Sequence, residues 1–187
     1  MRFTAPEPAE YTPRQAEFHR RYTTGPRADP AAPFRLIDGE GRLIGPPAVW
    51  VLSPEMGFAL AGIGAEMRWG IGFSERTREA VILAVGYALD SPFERYAHEP
   101  AGRAVGWTDE DFAEIAARRA PRGADEEVAA ALAATWEILD TGTLGDASYA
   151  RALAALGLEH LFQLVALVSY YRMIATQLAV FGVLPPD

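Results

Sequence analysis

Cysteine, lysine and asparagine do not occur among the 187 residues, and each absence removes a class of chemistry. Without cysteine there is no disulfide, thiolate nucleophile, redox thiol pair or cysteine metal ligand. Without lysine there is no Schiff base and no phosphate-loop lysine, which excludes aldolase-like and nucleotide-hydrolysing readings. Basic charge is therefore all arginine, and 25 acidic residues outweigh it to give a formal charge of -8. The arginines are scattered, with no basic stripe to track a phosphate backbone, so no nucleic-acid partner is expected and small molecules fit better. A long hydrophobic run is lacking too. Met1 to Pro6 has no apolar signal segment, and the most apolar stretch, Leu161 to Val168, is too short to cross a bilayer. The expectation is a soluble, cytoplasmic protein with no membrane contact.

What is present is enough to fold. Half the residues are hydrophobic and 11% are aromatic, which can offset the entropy of ordering the chain. The length suits one domain overall, since single cores commonly organise roughly 100 to 200 residues. Nine of the fourteen prolines fall in the first 54 residues, so residues 1–52 read as an irregular arm. It holds one short helix, capped by Thr12 with Pro13 at its first position and Phe18 and Tyr22 on one face. A small hairpin is expected over Phe34 to Ile44, around Asp38-Gly39-Glu40-Gly41.

Residues 53–187 read as a helical core, because cap residues recur ahead of helical patterns. Helices are expected from Ser53-Pro54 to Gly70, Ser74 to Asp90, Ser91-Pro92 to Gly106, from Thr108, Asp125 to Asp140, Gly145 to Leu156 and Leu158 to Phe181. The last is apolar nearly all round, which predicts a central or interface helix. Glu75 to Ala88 aligns with Glu159 to Arg172 through Glu75/Glu159, Val81/Val165, Leu83/Leu167 and Tyr87/Tyr171, hinting at an old duplication. In that register Glu79 corresponds to Gln163 and His98 to Gly182, so the second copy carries no site.

The chemistry-bearing residues cluster on two successive helices. Glu94 and His98 stand at i,i+4, on one face, and a tight boundary at Asp90-Ser91 folds this helix back on the first so that Glu79 approaches the same face. A carboxylate beside an imidazole is an acid–base pair.

The order Arg78-Glu79, a short break, Glu94-x-x-x-His98, then Gly106-Trp107-Thr108 resembles the carboxymuconolactone decarboxylase family. Gly45-Pro46-Pro47, Leu52-Ser53-Pro54-Glu55, Leu164-Val165 and Tyr171-Arg172-Met173 look like its flanking segments, so the resemblance covers residues 34 to 181. It implies an all-α, alkyl hydroperoxidase D-like helical bundle that assembles as trimers or hexamers. The related peroxidase branch has Cys-x-x-Cys-x-x-x-His with a glutamate nineteen residues before the histidine. Here the histidine is His98 and the glutamate Glu79, but the cysteine positions hold Ser91 and Glu94, so thiol peroxidase activity is excluded. The resemblance implies a cofactor-free lyase acting on a small carboxylated lactone, with His98 and Glu79 catalytic.

In that reading His98 delivers the proton that decarboxylation requires, Glu79 orients it, and Arg78, Arg95 and Glu94 are candidate substrate contacts. Structural roles compete. Glu94 also fits a capping box closed on Ser91, the reading favoured for it, His98 fits a histidine packed between helices, and Arg76, Arg78 and Arg95 fit surface ion pairs. Pro100 should bend its helix just beyond His98. His19 and His160 have no metal-ligand spacing, so no metal site is expected; Trp136, Tyr170 and Tyr171 read as core or interface aromatics. Two further functions remain open: a non-catalytic binding or assembly protein that has lost its cysteines, and a lactone isomerase or hydrolase.

Overall fold

The computed structural model describes residues 2–24 and 35–186; Phe34, where the hairpin was expected to begin, lies outside them. The described residues are all-α. The helices are α1 (Pro13–Thr24), α2 (Pro46–Trp50), α3 (Pro54–Ala65), α4 (Glu75–Ala88), α5 (Pro92–Ala104), α6 (Asp109–Ala116), α7 (Glu126–Thr141) and α8 (Asp146–Phe181). A 3-10 turn at Pro8–Glu10 and a π-turn at Glu66–Gly70 complete them. The chain divides into two compact units, residues 1–69 with 176–187, and residues 70–175.

In the first unit α1 opens with a reciprocal cap: the Thr12 N–H donates to Gln15 Oε1 at 2.9 Å and the Gln15 N–H to Thr12 Oγ1 at 3.3 Å. Its Phe18 is buried and meets Phe58 of α3 edge-on at 5.3 Å. Gly57 makes that approach feasible, because a Cβ there would lie 2.9 Å from both Phe18 Cε2 and the Trp50 carbonyl oxygen. The short α2 was not anticipated. Its Pro46 and Pro47 occupy the first helical positions, where a missing N–H costs nothing. The hairpin shrinks to one antiparallel bridge between Ile37 and Leu43. The Asp38 carboxylate, accepting from the Glu40 and Arg42 N–H groups at 2.9 Å, closes the turn in place of a longer ladder.

The second unit is organised on α4, whose residues Thr77 to Gly86 are all buried. Ala80, Leu83 and Ala84 of α4 join Trp107, Phe112 and Ile115 and the α7 residues Val128 and Leu132 in one core cluster. Burying those side chains contributes roughly 1.5–3 kcal/mol each for the larger ones. The sequence pointed to the last helix as a central or interface helix, and the structure buries one side of it. The helix α8 buries Leu161, Leu164, Leu167 and Val168 but exposes Leu158, Phe162 and Val165, at 68%, 72% and 42%. It also breaks at Gly157 (φ 76°, ψ 169°), between the two helices expected there.

Helix ends follow a repeated device. After α4, Asp90 takes a left-handed conformation (φ 44°) while its N–H donates to Tyr87 O and that of Ser91 to Gly86 O. After α5, Gly106 (φ 90°) does the same, with the Trp107 N–H on Gly102 O. After α6, Arg118 (φ 59°) precedes an Arg119 N–H on Glu114 O. These are Schellman closures, which satisfy carbonyls left over at a helix end and turn the chain sharply. The α4 closure sends α5 back along α4, so Gly86 packs near Glu94 and Glu79 near His98.

Candidate active site

Three side chains meet between α4 and α5. His98 Nδ1 lies 2.7 Å from Glu79 Oε2, a hydrogen bond, and His98 Nε2 lies 3.6 Å from Glu94 Oε2, an ion-pair distance. Glu79, Glu94 and His98 are 6%, 3% and 4% exposed, so this is an enclosed array and not a surface cluster. Glu79 sits one turn into α4, on a helix buried on every side. Both Glu94 and His98 lie on the face of α5 turned to α4, one turn apart as the i,i+4 spacing requires. The two helices come close at Gly86, where a Cβ would stand 3.3 Å from Glu94 Cβ.

Glu94 does not close a capping box. The backbone N–H of Ser91 that such a box would engage already donates to Gly86 O at 2.9 Å as part of the α4 closure, and the Ser91 side chain makes no capping hydrogen bond. The carboxylate that the sequence offered as a cap is thus directed toward His98. The turn at Asp90-Ser91 serves the end of α4 first.

The structure places the two arginines differently. Buried Arg78 lies beside the pair, its Nε 3.5 Å from Glu79 Oε1 and an Nη 3.7 Å from Glu75 Oε1. Arg95 is turned to Asp90, at 3.4 Å, with its guanidinium 5.9 Å from the Tyr87 ring. The Tyr87 hydroxyl donates to Glu99 at 3.0 Å, and burial first, then that carboxylate, push its phenol well above the ordinary value. Arg76 stacks over Trp107 at 3.7 Å.

Tyr171 of α8, read from sequence as a core or interface aromatic, is buried, and its ring meets the His98 ring edge-on, with centroids 5.2 Å apart and planes at 87°. Tyr171 is itself crossed by Tyr170 at 5.5 Å. The sequence signal was its place in Tyr171-Arg172-Met173; hydrophobic periodicity cannot distinguish a ring packed on the His98 imidazole from any other core ring. His19 contacts Gly41 O at 2.8 Å and His160 packs on Phe73 at 5.0 Å, so each has a local partner. Pro100 lies inside α5, which continues to Ala104.

Chemically, one edge of the imidazole is fixed by Glu79 at Nδ1, and Nε2, which faces Glu94 at 3.6 Å, is the other nitrogen able to carry a proton. A carboxylate on Nδ1 sets the tautomer and compensates the charge that the ring gains on taking a second proton.

A sequence model of the carboxymuconolactone decarboxylase family matches residues 54–137, a span that contains Glu79, Glu94 and His98. Among solved structures, an Agrobacterium tumefaciens protein of unknown function, described as a proposed antioxidant defence protein AhpD, superposes with a TM-score of 0.65. It is 17% identical, and the match covers 74% of this chain and 96% of that one. A Ralstonia eutropha protein, an uncharacterised peroxidase-related protein with an alkylhydroperoxidase AhpD core, superposes with a TM-score of 0.75 at 16% identity. That match covers 100% of this chain and 92% of that one. No curated protein gives a significant sequence match. At these identities the structural likeness establishes the fold, which is AhpD-like.

Proposed function

We propose, for a chain whose segment 54–137 is of the carboxymuconolactone decarboxylase family and which has no cysteine, that Glu79 and His98 form the acid–base pair of a cofactor-free enzyme. The reaction is decarboxylation, or a related proton transfer, on a small carboxylated lactone. The observation that carries this reading is the 2.7 Å bond between Glu79 Oε2 and His98 Nδ1 inside an enclosed site.

In the decarboxylation, the bond between carbon and the departing carboxylate breaks, and its electron pair delocalises into a dienolate conjugated with the lactone carbonyl. His98 Nε2 supplies the proton that the carbon takes up. Glu79 keeps the ring oriented through that transfer, which leaves the neutral imidazole, and a solvent proton then returns the ring to the imidazolium from which the next proton is given. Arg78, 3.5 Å from Glu79, is the arginine that this reading assigns to a substrate carboxylate, because it adjoins the pair, while Arg95 lies at Asp90. The same pair could serve lactone isomerisation, in which the proton removed is returned to a different carbon.

A second reading has its own supporting observations. Glu79 and His98 are nearly closed off in the single chain, while Leu158, Phe162 and Val165 of α8 form an exposed apolar row. An assembly protein without turnover would fit these two features, and so would an enzyme whose copies associate along α8, the homo-oligomer the resemblance implies.

A thermal-shift screen of small lactone and aromatic-degradation acids separates the readings. The enzyme reading expects at least one acid to raise Tm in the wild type and to do so far less in His98→Ala; a ligand at 100 times its Kd adds about 2.7 kcal/mol. If no acid shifts Tm, or if His98→Ala responds like the wild type, the assembly reading stands.

A further inference from the structure

We propose that the first unit carries a second binding site, a cavity enclosed by residues 3–5, the turn after Asp38 and residues 182–186, and that it takes a neutral, largely apolar small molecule. This goes beyond the acid–base reading, because Glu79, Glu94 and His98 are not among its lining residues. The cavity measures about 630 Å³, inside the roughly 300–1,000 Å³ of small-molecule pockets. Phe3, Leu43, Ala48, Val183 and Leu184 supply much of its apolar lining.

Local structure sets the walls. Past the left-handed Gly182 (φ 67°), the Val183 N–H donates to Leu178 O at 2.9 Å, the same closure that ends α4, and it turns residues 183–186 away from the line of α8. Phe3 meets Phe181 edge-on at 5.5 Å, and a Cβ at Gly182 would stand 3.5 Å from Arg2 Cβ, so residues 2–3 run along that turn. Buried Leu43 and Ala48 form the floor. The helix α2, which carries Ala48, is tied to α8 by the Trp50 Nε1–H on Gln177 Oε1 at 2.8 Å.

Charge decides what the cavity holds. Asp38 and Arg42 line it, and each already has its partner. Arg42 Nε donates to Asp38 Oδ2 at 2.7 Å, Arg42 Nη2 donates to Glu40 at 2.9 Å, and Asp38 Oδ1 accepts two backbone N–H groups. The lining thus carries one charge of each sign, paired, while Glu40 stands in solvent. A charged ligand would lose water there without gaining a counter-ion. A neutral apolar ligand gains by burying its own surface. Pro185 and Pro186, also in the lining, add ring carbon and no N–H donor.

The test is a fluorescence titration of the full-length protein with N-phenyl-1-naphthylamine, a neutral dye that brightens in apolar surroundings. Its sulfonated analogue, 8-anilinonaphthalene-1-sulfonate, has the same rings and a negative charge. The expected result is saturable binding of the neutral dye at a single site, about tenfold or more tighter than the sulfonate. Leu184→Asp, at an exposed position on the rim, should raise the Kd of the neutral dye by about tenfold or more, as should Ala48→Leu, which fills the floor. Phe162→Glu, on the exposed apolar row of α8, should leave it unchanged. The proposal is overturned by an absence of saturable binding, by equal affinity for the sulfonate, or by wild-type affinity in Leu184→Asp. Loss of binding in Phe162→Glu overturns it too, by putting the dye on α8. A change of sedimentation in Leu184→Asp does the same, by making a second copy the occupant. If Ala48→Leu does not fold, Leu184→Asp decides.

Discussion

At the scale of single residues, what matters is which hydrogen-bonding group is already spoken for. Ser91-Pro92-Phe93-Glu94 has the composition of a helix start, and nothing in those four residues reveals that the Ser91 N–H belongs to the preceding helix. Once it does, Glu94 is released toward His98. Tyr171 was hidden for a related reason: an aromatic at a buried helical position looks the same whatever it packs on. The spacing of Glu79 and His98, by contrast, follows from two helices joined by a tight closure, and their proximity was readable before any coordinates.

Asp38 gives a pH-dependent prediction at this scale. Burial pushes its carboxyl up, but hydrogen bonds from the Arg42 guanidinium and from the Arg42 and Glu40 N–H groups outweigh this and hold it below the ordinary carboxylate value. A depressed folded value means the turn is stabilised above the unfolded value and loses that support as pH falls through the folded one. Protection factors at Gly41 and Ile44, that is, exchange corrected for its intrinsic pH dependence, should therefore fall in acid, below the usual carboxylate range, and in Asp38→Asn should be low already at neutral pH. Equal protection factors at both pH values would refute the assignment.

At the scale of elements, helix boundaries were legible because cap chemistry is local. Ser74 accepts from the Thr77 N–H, Asp125 from the Val128 N–H, and Thr108 with Asp111 forms a complete capping box. Replacing Thr108 with Ala should cost about 1 kcal/mol in chemical denaturation. The left-handed Asp90 carries a steric cost that glycine lacks, so Asp90→Gly should stabilise by roughly 0.5–1 kcal/mol despite losing its exposed contact with Arg95. Close packing runs the other way. A Cβ at Gly102 would stand 3.0 and 3.1 Å from Phe112 and 3.2 Å from Leu83, so Gly102→Ala should destabilise by about 1–3 kcal/mol. A neutral result in urea unfolding would mean that α5 and α6 pack more loosely than described.

Less legible was which helix lies at the centre. Composition marked the apolar α8 as a central or interface helix, whereas α4 carries Arg76, Arg78 and Glu79 among its first residues. Those charges are the reason. Arg76 is laid over Trp107, while Arg78 and Glu79 are enclosed with His98, so polar residues on α4 mark contacts and not a solvated face. In the register of the hinted duplication, Gln163, the counterpart of Glu79, accepts the Gly72 N–H at 2.9 Å and donates to Glu159 at 3.3 Å.

At the scale of the molecule, the chain combines an AhpD-like fold with a sequence that has no cysteine, so no thiol takes part in its chemistry. Inside it lies an enclosed carboxylate–imidazole pair, Glu79 and His98, with the Glu94 carboxylate 3.6 Å from the other ring nitrogen. The exposed row Leu158, Phe162 and Val165 belongs to this scale as well. If copies associate along α8, sedimentation velocity should show an assembly for the wild type and a smaller species for Phe162→Glu. Identical sedimentation of the two would place the contact elsewhere.

The most direct measurement is the rate of carbon dioxide release from γ-carboxymuconolactone by the wild type and by His98→Ala, each checked for an unchanged circular dichroism spectrum. A positioned general acid contributes about 10²–10⁴-fold, so the variant should be slower by at least that lower factor. Release at the wild-type rate from a folded His98→Ala would contradict the account.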